Sequence, residues 1–530
     1  MQVPSPISES YWEDLTITED DLEFLYQHLL ELEEPQTPAE LAEALIRHRI
    51  AEEQRRIEQR WRESHGMYLP KEHYEVGQVL LFPALGWQRG EVVAVRPGFH
   101  PDHGEFSVIR VRLEDGTERE FAADFPNHRL NSPPPPEADP MLDLDAVLPR
   151  YQERVAQRIE AALRANDDFV YIAGRWFPKA LLVDLHPGHL NLAEAVLYMA
   201  EGGPLPTEEI LPHLELPANV NPKLAAFSLD WALQQDERFD EVGPAGKVWW
   251  FLRSMEPEAV QQVPLWLRYT PLEYDPSVLP ETLAALEAWL GDELSPDPAG
   301  EHLPDPEADE EIELVLIYPH WRAGTLPLSA RVRHLFPTAY EAPRIRFQLV
   351  DATTGHGFPA WVVRPHKYIY GLGEWYRQKG LFPGSRVWVR RGRQEGEVLI
   401  RAQTRRPTRA WLRTVVVDDQ GRLHIRPQNV AVGSAYEDLM AFFVPQAEAL
   451  DPVWERIRRQ RIPLEDLLVL MMRELAKLTP QQHVAARELY AAVNLVRRCP
   501  PGPIFALLAT RPWFQHVGGE YFHLNTGSQV

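Results

Sequence analysis

A chain of 530 residues is too long for one hydrophobic core, so several domains are expected. With 44% hydrophobic and 25% charged residues it has the composition of a soluble globular protein, and its one cysteine, Cys499, excludes an internal disulfide and a cysteine-built zinc site. The formal net charge of −24 describes only the whole molecule; how that charge is divided decides what each part attracts.

The opening residues, MQVPSPISESYWEDLTITEDD, have neither the basic start nor the apolar run of a signal peptide. No stretch approaches the roughly twenty apolar residues that span a bilayer, so a cytoplasmic protein without membrane contact is expected. Residues 1–66 read as a helical unit. Thr18 opens an acidic first turn, and Leu22, Leu25, Leu29 and Leu32 form an apolar stripe. Thr37-Pro38-Ala39-Glu40 then supplies the N-cap, first-turn proline and capping-box glutamate of a second helix.

Over 75–131 the period changes. VGQVLLF, GEVVAVR, FSVIRVRL and EREFAA are short strand-like runs parted by turns such as Glu114-Asp115-Gly116. They predict a small β-barrel similar in outline to Tudor- or KOW-type modules, a shape that serves nucleic acids and protein tails alike. A proline-rich linker follows over 132–149, beginning SPPPPEADP.

Residues 150–292 are predicted as a helical domain. GGPLPTEEILPHL leads into a helix at Thr207, followed by LAAFSLDWALQQDERFDEVG and PAGKVWWFL; helix, turn, helix, helix and closing β-wing is the order of a winged helix. Two histidine pairs, His100/His103 and His186/His189, sit in proline- and glycine-containing turns without companion ligands, and no metal or other cofactor is expected. Residues 293–311 read as an acidic, proline-rich linker where the charge changes sign. Residues 1–311 carry 24 basic and 60 acidic side chains, and residues 312–530 carry 30 and 18. The second part attracts phosphate backbones, and the first favours basic protein surfaces. If the acidic part also screens the basic one, deleting 1–311 should tighten DNA binding.

Residues 312–445 predict a basic β-rich domain, a closed or half-closed barrel. Its centre, RVWVRRGRQEGEVLIRAQTRRPTRAWLR (386–413), holds nine arginines and two glutamates. Alternation sends Val387 and Val389 one way and Arg386, Trp388 and Arg390 the other. Arg391 and Arg393 crowd the turn at Gly392, and Arg401, Arg405, Arg406, Arg409 and Arg413 follow through a proline-containing stretch where guanidinium–phosphate contacts are geometrically easy. Trp388 and Trp411 either stack on bases or bury. Residues 453–526 close the chain with a second winged-helix pattern, and Arg497, Arg498 and Arg511 beside it are candidate DNA contacts.

Two resemblances rest on these residues. RFDEVGPAGKVWWFL (238–252) recurs loosely as WFQHVGGEYFHL (513–524): an aromatic, Val-Gly, a turn and an aromatic strand. The pattern resembles the HARE-type winged helix of the RNA polymerase delta subunit and of some restriction-associated and chromatin proteins, which implies a role beside DNA or the transcription machinery and no catalysis. Asp236, Glu237, Asp240 and Glu241 flank the first wing, which therefore suits protein contact or packing rather than phosphate. AWVVRPHKYIYGLGEWYRQKGLFPGSRVWVR is similar to the plant pseudobarrel DNA-binding domain and its restriction-enzyme relatives, with Gly384-Ser385 where those carry Gly-Asp.

The expectation is an α+β multidomain chain with winged-helix units, a small Tudor/KOW-like barrel and a basic pseudobarrel-like domain. Its expected role is that of a non-catalytic, DNA-binding regulator of transcription or chromosome function, contacting duplex phosphates. No Walker A, G-x-S-x-G or H-E-x-x-H motif is present. The alternatives are a protein–protein scaffold on RNA polymerase and a Mg²⁺-dependent restriction-type nuclease, which would need two or three carboxylates and a lysine converging on the metal.

Overall fold

The structure, a computed structural model, describes residues 9–63, 66–82, 85, 88–101, 104–131, 140–216, 220–297, 311–394 and 396–525. The class is mixed α+β. The chain forms two compact units, Met1–Val183 with Asn221–Phe227, and Asp184–Val220 with Ser228–Val530. Most of the expected linkers, 132–139 and 298–310, lies outside the described residues. No described helix is long and apolar enough to cross a membrane.

In the first unit, helix Glu19–Leu32 starts at Thr18 by a reciprocal box: its hydroxyl accepts from the Asp21 amide, and the Asp21 carboxylate accepts from the Thr18 amide at 2.8 Å. Leu25 and Leu29 of the stripe are buried, whereas Leu32 is exposed at the frayed end. Helix Pro38–Glu63 starts in the same way, with Glu40 accepting from the Thr37 amide at 2.7 Å. A four-stranded antiparallel meander follows: β1 (Val79–Phe82), β2 (Gln88–His100), β3 (Gly104–Leu113) and β4 (Glu118–Ala123), neighbours in that order, closed over Phe82, Val92, Ile109 and Val111. Helix Leu144–Arg164 then packs on Pro38–Glu63, and a hairpin of β5 (Phe169–Ile172) and β6 (Arg175–Pro178) completes the unit, with Gln36 bridged antiparallel to Trp176.

The second unit repeats this order twice. Helix Pro187–Met199, β7 (Leu205–Pro206), helix Thr207–Ile210, the part of helix Pro222–Gln234 from Ser228 on, and the hairpin β8 (Phe239–Glu241) to β9 (Trp249–Leu252) follow one another, with the strands in the order β7-β9-β8. Near the C-terminus, helices Leu464–Ala476, Ala486–Val493 and Pro501–Thr510 recur around β20 (Val484–Ala485), β21 (Phe514–Gly518) and β22 (Tyr521–Leu524), in the order β20-β22-β21. In all three places a short extended segment just before the second helix pairs with the hairpin's second strand and lies opposite an aromatic: Gln36 and Trp176, Leu205 and Trp250, Val484 and Phe522. The first copy carries the β1–β4 meander between its second and third helices. The sequence pattern shows only the latter two copies.

Between them lies a curled seven-stranded half-barrel, β10 (Ile312–Val315), β11 (Thr325–Pro327), β12 (Arg344–Asp351), β13 (Gly357–Val363), β14 (Tyr368–Tyr370), β15 (Arg386–Arg391) and β16 (Glu397–Arg401), ordered β10-β15-β16-β12-β13-β14-β11. Among these described strands only β12 and β16 pair in parallel. The concave side buries Ile345, Leu349, Val387, Val389, Val398 and Ile400 together with Trp375 and Tyr376 of helix Gly373–Lys379. The turn at Gly384-Ser385 needs its glycine: φ is +100°, and a Cβ would lie 2.5 Å from the Ala441 Cα. Beyond it, β17 (Thr404–Val417) and β18 (Leu423–Ser434) form a long ribbon, with β19 (Phe442–Phe443) beside Arg413 and Thr414.

Two expected boundaries move. Residues 150–183 belong to the first unit, because helix Leu144–Arg164 and the Trp176 strand complete its core. The boundary at 293 falls inside a core instead. Leu283 and Leu286 pack in one cluster with Leu467, Leu489 and Phe505 of the C-terminal copy, and Asp292 and Glu293 are buried against Arg498. A cut at 311 would strip that core and cannot report on screening.

Candidate nucleic-acid interface

The β17–β18 ribbon is anchored at both ends and bare on one face between them; at the end away from the turn Ser434, opposite Thr404, is fully buried beside Ser385. Val415, Leu423 and Ile425 enter the core shared with the C-terminal helices, and Leu412 and Val432 pack with Phe382 and Ala441. The turn is held by Asp418, which accepts from the Gln420 and Arg422 amides, and by Arg456, which donates to the Gly421 carbonyl at 2.7 Å. Past Leu412 only one face still meets a core, with Ala410 and Val430 packed against Leu412 and Val432, and the other face is bare. Arg409 stands opposite Ala431 and Trp411 opposite Asn429, so these four share one outward face. Trp411 is 71% exposed. Residues 404–409 are exposed throughout, after a register shift between Thr404 and Thr408.

The predicted arginines separate by partner. Arg498 is a correction: its fully buried guanidinium is held by Asp292 at 2.6 Å and Glu293 at 2.8 Å, which leaves no surface for a phosphate. Burial pushes the Glu293 carboxyl up, but Arg498 and His320 outweigh it and hold the acid well below the usual range. Arg386 is paired with Glu313 and Glu437, Arg401 with Glu311, Arg413 with Glu488, and Arg511 with Glu465. Arg497 donates to the Ile462 carbonyl, and Arg391 to that of His334. Trp388 is half-buried beneath the Arg401 guanidinium, 4.6 Å from its ring centre.

The side chains of Arg390, Arg393, Arg405, Arg406 and Arg409 make no hydrogen bond or ion pair with any described residue, nor does Arg426, the residue opposite Thr414, which sequence reasoning passes over. Sequence reasoning also misses the exposed Arg458, Arg459 and Arg461 at the end of helix Asp451–Gln460, whose signal, ERIRRQR, is plain but lies outside the strand-rich block.

The acidic hairpin of the second copy is packing, not surface. Asp240 is buried and ion-paired to Arg344 of β12, and Asp236 is clamped to Arg238. On the meander, Arg96 and Arg110 meet Glu120, and Arg112 meets Glu118. The His186 and His189 rings stack at 3.7 Å, while His103 lies outside the described residues. Among the described residues no three His, Cys, Asp or Glu side chains gather as a metal-holding group. No protein-family model, curated protein or solved structure matches the chain.

Proposed function

We propose that this chain binds duplex DNA through the exposed stretch of the β17–β18 ribbon, as a transcription- or chromosome-associated protein with no catalysis of its own. The observation that carries this reading is the set of arginines left without carboxylates, Arg405, Arg406 and Arg409, on the stretch that exposes Trp411, with a further one, Arg426, on the ribbon's other face. In a chain with 78 acidic side chains, pairing is the default for an arginine; one held apart keeps its full charge for a phosphate. A two-stranded ribbon is also an element that the major groove of B-DNA admits. The winged-helix reading of the helical copies and the resemblance to pseudobarrel domains agree with such a role, but the ribbon leads, because Arg498 and Arg511 of the C-terminal copy are already engaged.

The test is fluorescence anisotropy of the full chain with a blunt labelled duplex across a salt titration. Log affinity should fall linearly with log salt, and replacing Arg405, Arg406 and Arg409 by alanine should flatten the slope by about 0.9 for each phosphate no longer neutralised. An unchanged slope would move the contact elsewhere. Absence of binding at low salt would favour the scaffold reading, for which Leu192, Tyr198 and Met199, exposed along helix Pro187–Met199, offer an apolar docking face.

A further inference from the structure

A cleft of about 1160 Å³ opens over β12 of the half-barrel, and no ribbon residue lines it. Its floor is β12, with Arg346 and Gln348. One wall is the β8–β9 turn, with Lys247 and Trp249, and another is the β15–β16 turn, with Arg391 and Arg393. The Ala245 amide donates to the Thr338 carbonyl at 2.6 Å and fixes the first wall to the 334–338 loop. The cleft is therefore a built corner rather than a gap between loose segments.

Its charge is one-sided. Four cations line it against one described carboxylate, Glu397, and that carboxylate is turned inward to accept from the Arg393 amide at 3.2 Å. Arg391 engages only a carbonyl, and the Arg393 side chain has no partner among the described residues. Arg346 is the most telling. Its guanidinium lies over Phe251 at 4.9 Å and Trp361 at 5.8 Å, donates to the Gly203 carbonyl, and meets no carboxylate among the described residues. Burial lowers its pKa, as expected of a cation removed from water without a counter-charge. Such a group is satisfied by an anion from outside.

We infer that this cleft binds a short run of unpaired nucleotides, with phosphates on Arg346, Arg391, Arg393 and Lys247 and bases against Trp249 and the Gln348 amide. A cationic groove with an aromatic platform is the general design of single-strand sites. The volume exceeds the roughly 300–1,000 Å³ of sites for single small ligands, so more than one nucleotide is accommodated. A concave corner excludes a duplex, which docks on projecting elements such as the ribbon. The choice of nucleic acid among polyanions rests on the reading of the ribbon. Together the two sites would recognise duplex next to single strand: an overhang, flap or junction.

The test uses the full chain and three probes: a blunt duplex, the same duplex with a six-thymidine overhang, and free hexathymidylate. The overhang should tighten binding at least tenfold over the blunt duplex, and hexathymidylate should bind by itself. The double variant Lys247→Ala, Arg393→Glu changes two cations on exposed turns. It should abolish the overhang gain and flatten the single-strand salt slope by about 1.4, two phosphates at about 0.7 each. Arg405→Ala, Arg406→Ala should weaken blunt and overhanging duplexes alike and leave hexathymidylate untouched. Failure of hexathymidylate to bind would overturn the cleft and spare the ribbon, and equal affinity for blunt and overhanging duplex would overturn their joint recognition of a junction. Hexathymidylate binding that inorganic tripolyphosphate displaces equally well would reduce the site to an anion trap and overturn the single-strand assignment. Failure of the blunt duplex alone would overturn the ribbon and spare the cleft.

Discussion

Arg498 and Arg405 are the same residue type in one basic half of one chain, and they have opposite fates. Arg498 is sealed between Asp292 and Glu293 and has no exposed surface; Arg405 stands on an exposed strand with no described partner. The contrast extends to their neighbours. Arg386, Arg401, Arg413 and Arg511 are neutralised by carboxylates in place, whereas Arg405, Arg406 and Arg409 on the ribbon and Arg393 on the β15–β16 turn are not. Local density of positive charge therefore does not predict a polyanion site. What matters is whether the fold supplies a carboxylate for each guanidinium.

The largest effect should come from breaking the sealed group. Arg498→Met leaves Asp292 and Glu293 buried without their cation, and removing one partner of a buried pair costs about 3–5 kcal/mol. Thermal or urea unfolding of the full chain should register it as a large loss of stability. Arg405→Ala should stay within about 0.5 kcal/mol of the parent, as exposed substitutions do. Equal losses for the two would erase the distinction.

A pH series sharpens the same contrast, because guanidinium groups do not titrate between pH 4 and 8 but a buried acid in the second copy does. Burial raises Asp230 to about 7, opposed by hydrogen bonds from Thr207 and Trp250. Its unfolded value is about 3.9, so its contribution to stability is fully present below about pH 4 and lost as pH rises through 7. The shift of about three units corresponds to an upper bound of about 4 kcal/mol between those limits. Asp230→Asn should remove that share of the dependence, leaving those of Glu241 and Glu256, which burial pushes up to about 8, and should gain stability over the parent at pH 8 but not at pH 4, as read from unfolding midpoints. The salt slope for duplex DNA should stay constant across the series. A slope that moves with Asp230 would mean that the second copy, not the ribbon, meets the phosphates.

The two fates are unequally legible in the sequence. Whatever depends on near neighbours can be read: the caps at Thr18 and Thr37, the β-strand alternation around Val387 and Val389, and the free arginines at 405, 406 and 409. Arg498 cannot be, because Glu293 lies 205 residues upstream in a stretch whose acidity and prolines look like a linker. The first copy of the helical repeat is hidden by the meander between its second and third helices, although FVYIAGRWFP (169–178) already holds an aromatic, a glycine turn and an aromatic strand. The cleft has no sequence signature at all. Lys247, Arg346 and Arg393 come from three separate elements and meet only through the way the half-barrel curls.

The smallest effect tests the tryptophan among the free arginines. Because Trp411 is 71% exposed and opposite Asn429, its removal costs the fold little. If it lies against sugar and base edges once Arg405, Arg406 and Arg409 hold the phosphates, Trp411→Ala should lower duplex affinity by less than the roughly 1–3 kcal/mol of an aromatic stacked on an unpaired base, about 1 kcal/mol or below. The salt slope should not change, because no counterion is released at an indole. Replacing Arg409, its neighbour on the same face, should change the slope. A tryptophan variant that binds like the parent would leave the ribbon as a phosphate clamp alone. One that shifts the slope would place Trp411 as a support for Arg409 rather than a contact in its own right. Affinity and slope, read together on these two neighbours, thus divide the ribbon's binding between charge and stacking.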